Sequence, residues 1–366
     1  YEGFIEMSKL LNINIVILTG STKASRKKEI YESLESGKID IIVGTHSLIQ
    51  DKVKFKNLGL AIIDEQHKFG VAQRSKLWAK STTPPHILIM TATPIPRTLA
   101  MSAYGDLDIS LIDELPPGRR EITTVHRLDS NRLSVFKFIK EQINEGRQIY
   151  IVYPLIEESK NMDFKDLMDG YASLSREFNQ PKYQISIVHG RMKAQDKEFE
   201  MKRFENKETQ ILMATTVIEV GVNIPNASVM IIESSERFGL SQLHQLRGRV
   251  GRGIHKSYCI LMSGNKLSNE SKLRLKTMTQ TNNGFLIAEK DLEIRGPGDI
   301  MGTQQSGIID LKIADLISDK KILTYARKFA KKILEDDKNL TKDKNNNLLN
   351  PYNHLVKNKD LWSYIG

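Results

Sequence analysis

The apolar run "LAII" at 60–63 ends in Asp64, Glu65, Gln66 and His67. Two carboxylates at the carboxyl end of a strand suit a place where a magnesium ion meets nucleotide phosphates. Asp64 would hold the metal, directly or through water. Glu65 would orient or deprotonate an attacking water, because phosphoryl transfer depends on metal and water placement more than on covalent chemistry. Taken alone, the same residues also fit an ordinary polar strand end.

Three more stretches carry residue types suited to that chemistry. "TATPIPRTLA" (91–100) follows the run "HILIM" and puts Thr91 and Thr93 at a strand end, where hydroxyls can relay hydrogen bonds between sites; Pro94 and Pro96 stiffen the exit. "ATTVIEVGVNIPNA" (214–227) places Thr215, Thr216 and Glu219 in the same way, with Gly221 permitting close backbone approach to a nucleotide or a nucleic-acid backbone. "QLRGRVGR" (245–252), read as a helix, sets Gln245, Arg249 and Arg252 at i, i+4 and i+7 on one face. Two guanidiniums together can grip a phosphate bidentately, and an arginine brought in from a second domain can speed phosphoryl transfer by roughly 10³–10⁵. A solvated basic helix face is the plainer reading, but Gly248 and Gly251 would weaken such a helix without reason.

A phosphate-cradling loop requires G-x-x-x-x-G-K-[ST]. "ESLESGKID" (32–40) fails because Lys38 precedes Ile39 and position 32 is Glu; "TGSTKAS" (19–25) fails because no second glycine precedes Lys23. The sequence therefore supplies carboxylates and arginines for a nucleotide site but no phosphate loop.

These residues need strands to present them. "INIVIL" (13–18), "IDIIVG" (39–44), "LAIID" (60–64) and "HILIM" (86–90) read as buried parallel strands. A second series reads the same way: "QIYIVYP" (148–154), "YQISIVHG" (183–190), "QILMATT" (210–216), "SVMIIES" (228–234) and "SYCILM" (257–262). A helix capped by Ser130, with Leu133, Phe136, Ile139 and Ile143 on its apolar side and Gly146 at its end, precedes the second series. Another spans 192–206 with Met192, Phe199 and Phe204. Alternating strands and helices imply α/β units. "DELPPGRR" (113–120) suits an exposed linker, and "DDKNLTKDKNNN" (336–347) reads as solvated and loosely ordered.

The 366 residues carry 54 Lys and Arg against 44 Asp and Glu, a net charge of +10. That surplus favours a polyanionic partner such as nucleic acid over an acidic small molecule. Cys259, the one cysteine, excludes an intrachain disulfide and a cysteine-cluster zinc site, and reads as a buried structural thiol. No apolar run reaches the length of a membrane span and no signal peptide is visible, so the reading is cytoplasmic without a membrane partner.

The four motifs, in this order, resemble the superfamily-two helicase core. "GTHSLIQ" (44–50), "DEQHKFGVAQR" (64–74), "YGDLDISLIDELPPGR" (104–119) and "RFGLSQLHQLRGRVGR" (237–252) resemble the RecG branched-DNA helicase family. "GFLIAEKDLEIRGPGDIMGTQQSG" (284–307) is similar to that family's translocation motif. Gln66, the "DELPPGR" linker and "RGPG" favour this family over the transcription-repair coupling factor, which shares much of the motor.

The resemblance implies an α/β fold of two tandem RecA-like domains with parallel sheets, the first N-terminally truncated (1–118) and the second at 119–270. A mainly helical C-terminal region (271–366) would follow, with the translocation hairpin and loop. It implies ATP and Mg²⁺ as cofactors, with Asp64 and Glu65 on one wall of the interdomain cleft and Arg249 and Arg252 on the other. Gln66, His67, Gln245, Glu219 and Gly221 would contact nucleotide; Thr91, Thr93, Thr215, Thr216, Arg295, Gly296, Gly298 and Gln305 would serve DNA and translocation. Gln304 stands where the family usually has an arginine, and Asn223 where it often has an aspartate, so roles resting on those charges are unsupported. In relatives the phosphate loop and the fork-splitting wedge domain lie N-terminal to the aligned region. The chain therefore reads as a C-terminal portion that hydrolyses ATP poorly by itself. Expected partners are branched or duplex DNA and single-stranded-DNA-binding protein, with the chain monomeric. Besides the coupling factor, the rival reading is a non-catalytic DNA-binding module.

Overall fold

The computed structural model describes residues 1–65, 80, 83–92, 108–116, 119–154, 160–179, 181–215, 224–301 and 319–357, with side chains described throughout except at 160–166, 295–301, 320 and 354–357. It is a mixed α/β structure with parallel sheets.

After helix α1 (Glu2–Ser8), β1 (Ile15–Leu18) pairs in parallel with β2 (Ile41–Gly44), joined through α2 (Ala24–Ser36). Gly37 ends α2 in the left-handed region (φ 75°), which a side chain would resist. β3 (Leu60–Ile63) and β4 (His86–Ile89) form a second parallel pair, Ile63 opposite Ile89. Alternation sorts their side chains: Ala61, Ile63, Ile87 and Ile89 pack with Ile49, whereas Leu60, Ile62 and Leu88 stay about half exposed. All four strands expected in this part are present.

The rest is built on one six-stranded parallel sheet. Its elements in chain order are β5 (Ile122–Leu128), α3 (Arg132–Asn144), β6 (Gln148–Tyr153), α4 (Lys160–Glu177), β7 (Ile185–Val188), α5 (Ala194–Glu205), β8 (Ile211–Thr215), β9 (Ala227–Ile232), α6 (Leu240–Arg247) and β10 (Ser257–Ser263). The strands lie in the order β5-β10-β9-β6-β8-β7. Every residue of β6, β8 and β9 is buried, which is why these central strands read as unbroken apolar runs. Alternate residues feed two cores. Tyr150, Val152 and Met230 face Phe204 and Leu246; Ile149, Ile151 and Val229 face Ile139 and Phe178. Cys259 lies fully buried in β10, and desolvation pushes its thiol up to about 12, as a structural cysteine requires. No described helix is long and apolar enough to cross a membrane.

Several expectations need correction. β5, "ITTVHRL", was not anticipated: as an edge strand it mixes Thr, His and Arg with its apolar residues. Ser130 does not cap α3. A 3₁₀ turn, Asp129–Asn131, precedes the helix, Asn131 is its N-cap, and Leu133 is 76% exposed. Gly146 does follow α3 at φ 79°. In α5 Phe204 is buried but Phe199 is 62% exposed.

Four helices and a turn follow. Ser268 Oγ accepts the Ser271 N–H at the start of α7 (Asn269–Gln280), and Asn283 Oδ1 accepts the Phe285 N–H at the start of α8 (Gly284–Met301). The glycines and proline at 296–298 do not form the expected loop: the backbone of α8 is helical through Met301. α9 (Lys320–Asp336) and α10 (Asn346–Lys357) are joined by an ordered turn instead of a loose, solvated one. Asp337 organises it, accepting from the backbone of Thr341 and Lys342 at 2.9 and 2.8 Å and from the Asn345 amide at 2.8 Å. The Asn345 bond, ahead of the backbone donors, holds the Asp337 carboxyl down at about 2.

Arg247, at the end of α6, is 2% exposed. Its Nη1 donates to the carbonyls of Met278 and Thr281, both at 2.9 Å, and to Thr124 Oγ1 at 3.4 Å; Nη2 donates to His244 Nδ1 at 3.1 Å. Arg247→Met should cost about 2–4 kcal/mol, since the carbonyls of Met278 in α7 and of Thr281, its C-cap, lose a charged donor, and should lower the urea midpoint at an unchanged slope.

Candidate nucleotide and nucleic-acid site

β3 and β4 present the first group of expected residues side by side. Asp64 follows β3, Thr91 stands two residues beyond β4, and the Met90 N–H donates to the Ile63 carbonyl at 2.8 Å to hold the ends together. Asp64 is exposed, its Oδ1 accepting the Glu65 N–H at 2.9 Å. Glu65 is half-buried at φ 54°, a left-handed conformation that costs a non-glycine residue roughly 1–2 kcal/mol. Such strain is retained where the site needs it. Among the described residues no group of three or more His, Cys, Asp or Glu could cage a metal ion. One or two carboxylates completed by phosphates and water is the usual donor set for magnesium, so Asp64 and Glu65 fit a magnesium–nucleotide complex better than a protein-only metal site.

The arginine group comes from the end of α6, and the expected helical face is not there. The helix stops at Arg247; Gly248 caps it, its N–H reaching the His244 carbonyl at 3.0 Å, and Gly251 turns the chain at φ 81°. Gln245 is thus on the last helical turn, while Arg249 (half-buried) and Arg252 (exposed) lie on a loop pinned by fully buried Val250. The glycines end the helix, and this is their physical role. Burial pushes the Tyr150 phenol pKa up, and the Arg249 and Arg252 guanidiniums pull it back. The Gly248 carbonyl accepts Arg252 Nε at 3.2 Å and Arg119 Nη2 at 3.2 Å. Burial first, and then Arg252, lowers the Arg119 pKa.

Thr215 closes β8 opposite Tyr153 of β6 and is 2% exposed. Its hydroxyl is buried and meets no hydrogen-bond partner among the described residues. Gln66, His67, Thr93, Thr216, Glu219, Gly221 and Gln305 lie outside the described residues. Arg295, Gly296 and Gly298 are placed only as backbone of α8. Sequence reasoning passed over Arg119, His244 and the Arg132–Glu233 pair. Glu233 follows β9, is 7% exposed, and accepts Arg132 Nη1 and Nη2 at 2.7 and 2.9 Å. The Glu233 bonds, more than Asp129, raise the Arg132 pKa despite burial. Only pairing across 101 residues reveals this, so no local signal could have found it.

Comparison with known proteins decides the family. Residues 1–102 match the DEAD/DEAH box helicase model, 133–253 the helicase conserved C-terminal domain, and 281–366 the model for domain 3, C-terminal, of ATP-dependent DNA helicase RecG. The ATP-dependent DNA helicase RecG of Synechocystis sp. is 49% identical over 93% of this chain and 41% of its own length. That of Bacillus subtilis is 47% identical over 92% of this chain and 49% of its own. The chain belongs to the RecG family. It spans 41% to 49% of the length of these curated RecG relatives. A solved structure of RecG bound to a three-way DNA junction superposes with a TM-score of 0.66 at 42% identity, covering 88% of this chain and 41% of that one. The helicase MrfA, solved with DNA and AMPPNP, shares the fold alone, with a TM-score of 0.57 at 13% identity over 90% of this chain and 49% of its own.

His244 yields a pH prediction for this RecG-family chain. Its Nδ1 must accept from Arg247, which has only donors, so the folded ring stays unprotonated there. Burial, then Arg247 and Arg119, bring its pKa down to about 4. The unfolded ring binds a proton near pH 6.5 and the folded one only near 4. Stability from this group is therefore complete above pH 6.5 and is lost as pH falls toward 4. His244→Gln should flatten the urea stability–pH curve by about one proton across that window.

Proposed function

We propose that this chain is the motor portion of an ATP-dependent double-stranded-DNA translocase and helicase that remodels branched DNA and stalled forks in recombination and repair. The observation carrying the reading is the strained Asp64–Glu65 turn at the carboxyl end of β3, beside Thr91. Asp64 would hold Mg²⁺, through water, where the ion would offset phosphate charge, and Glu65 would orient the attacking water. Arg249 and Arg252 bind phosphate, with Gln245, Gln66, His67, Glu219 and Gly221 lining the nucleotide. ATP supplies a phosphoanhydride whose hydrolysis drives closure and reopening between domains at 1–118 and 119–270. Thr91, Thr93, Thr215 and Thr216 relay that change to DNA, and Arg295, Gly296, Gly298 and Gln305, in 271–366, engage the duplex. The net charge of +10 supports salt-sensitive backbone contact, and a RecG solved on a three-way DNA junction supports branched DNA as the substrate. The chain acts as a monomer in the cytoplasm, with single-stranded-DNA-binding protein as a partner.

The test is ATP turnover by the full-length polypeptide that contains this chain, with and without branched DNA. DNA should stimulate turnover, and Asp64→Asn or Arg252→Ala should each lower kcat by about 10²-fold or more, on the order of 3 kcal/mol of barrier. Residues 1–366 alone should turn over poorly, because they contain no G-x-x-x-x-G-K-[ST] loop. Salt-dependent DNA binding with no ATP effect in the full-length polypeptide would instead establish the non-catalytic DNA-binding module.

A further inference from the structure

The loop carrying Arg249 and Arg252 is seated on the segment that leads from the linker into β5. Arg119 Nη2 donates to the Gly248 carbonyl at 3.2 Å. A methyl group on Gly251 would meet Ile122 Cγ1 at 3.0 Å and the Arg120 carbonyl at 3.4 Å. A methyl group on Gly253 would meet the Pro225 carbonyl at 2.2 Å. Two of the loop's three glycines thus mark close approach by the 119–122 and 224–226 segments, and Gly248 marks the point where Arg119 attaches.

The chemistry at Gly248 is specific. Its carbonyl lies at the C-terminal end of α6, where backbone acceptors lack helical partners and cations are favoured. Arg119 and Arg252 both use it, each at 3.2 Å. A carbonyl has two lone pairs, so Arg119 on one leaves the other for Arg252. Of the two, Arg119 is half-buried and Arg252 exposed, and their like charges repel.

We infer that Arg119 is a positioning residue that holds the Gly248–Arg252 loop in the conformation presenting Arg249 and Arg252 to phosphate, so that the linker exit and the arginine loop move as one piece. The inference rests on the nucleotide role proposed for those two arginines. It assigns Arg119 no contact with nucleotide.

Two measurements on the full-length polypeptide test it: ATP turnover with branched DNA, and hydrogen exchange of the 249–252 amides. Arg119→Ala should lower kcat by roughly 10–100-fold while shifting the KM for ATP less than about 3-fold, because orientation is lost and ground-state binding is not. It should also speed exchange at 249–252 while the β6, β8 and β9 amides stay protected. Arg119→Lys, which keeps a charged donor group on a shorter reach, should recover part of both effects. Unchanged exchange at 249–252 in Arg119→Ala overturns the inference, as does faster exchange spread evenly over the sheet. Altered exchange with unchanged kcat in an active enzyme also overturns it. If the unmutated polypeptide does not turn over ATP, the functional reading fails, and exchange at 249–252 alone decides whether Arg119 holds the loop.

Discussion

The guanidinium of Arg247 is buried where burial lowers its pKa and no carboxylate pairs with it among the described residues. Its charge is spread instead over the Met278 carbonyl of α7, the Thr281 carbonyl that caps it, the Thr124 hydroxyl and the His244 ring. An uncompensated buried cation is expensive, so each of these acceptors has to stay where it is. The bonds fix the end of α6 against edge strand β5 and against the end of α7. The direction of the arginine loop, which starts one residue later, is set by that junction. So is the start of α8, which follows α7 after three residues and packs Ile287 into the same core as Leu243 and Leu246.

The six-stranded sheet gives this junction a rigid base. Its central strands β6, β8 and β9 are buried on both faces, and their parallel register brings Tyr153, Thr215 and Glu233 to one edge. The Glu233 N–H donates to the Val152 carbonyl at 2.8 Å, extending the pairing one residue beyond β9. Glu233 then takes both nitrogens of Arg132, fixing the entry to α3 at the same sheet edge. The β3–β4 pair repeats the arrangement on a smaller scale, one end carrying Asp64 and Thr91. The carboxyl ends of parallel strands are where α/β proteins place ligand chemistry, and both sets of residues are placed there.

Much of this was legible from residue order. Every strand with a dense apolar run was located; β6, β8 and β9 are buried on both faces and have little room for polar residues, whereas β1–β4, also read as buried, keep residues such as Ile17, Leu60, Ile62 and Leu88 exposed. β5 escaped because, at the sheet edge, Thr123, His126 and Arg127 face solvent or polar partners. The helical reading of 245–252 failed for a different reason. Spacing at i, i+4 and i+7 identifies a face only if the helix continues, and Gly248 with Gly251 ends it. The loose reading of 336–347 weighed composition and missed that Asp337 can gather four hydrogen bonds, from Thr341, Lys342 and Asn345.

The sequence by itself determined the α/β class, the order of the strands along the chain, the acidic turn at Asp64–Glu65 and the family of its motifs. These depend on local periodicity and on residue types at fixed spacing, which a linear chain records. Only the tertiary structure decided that Arg247 is a buried strut while Arg252 is exposed, that Glu233 pairs with Arg132, and that Arg119 reaches Gly248 from 129 residues away. Arg247, Arg249 and Arg252 are the same residue type within six positions. What separates them is desolvation and the acceptors that the fold brings to each, and neither exists until distant segments pack together.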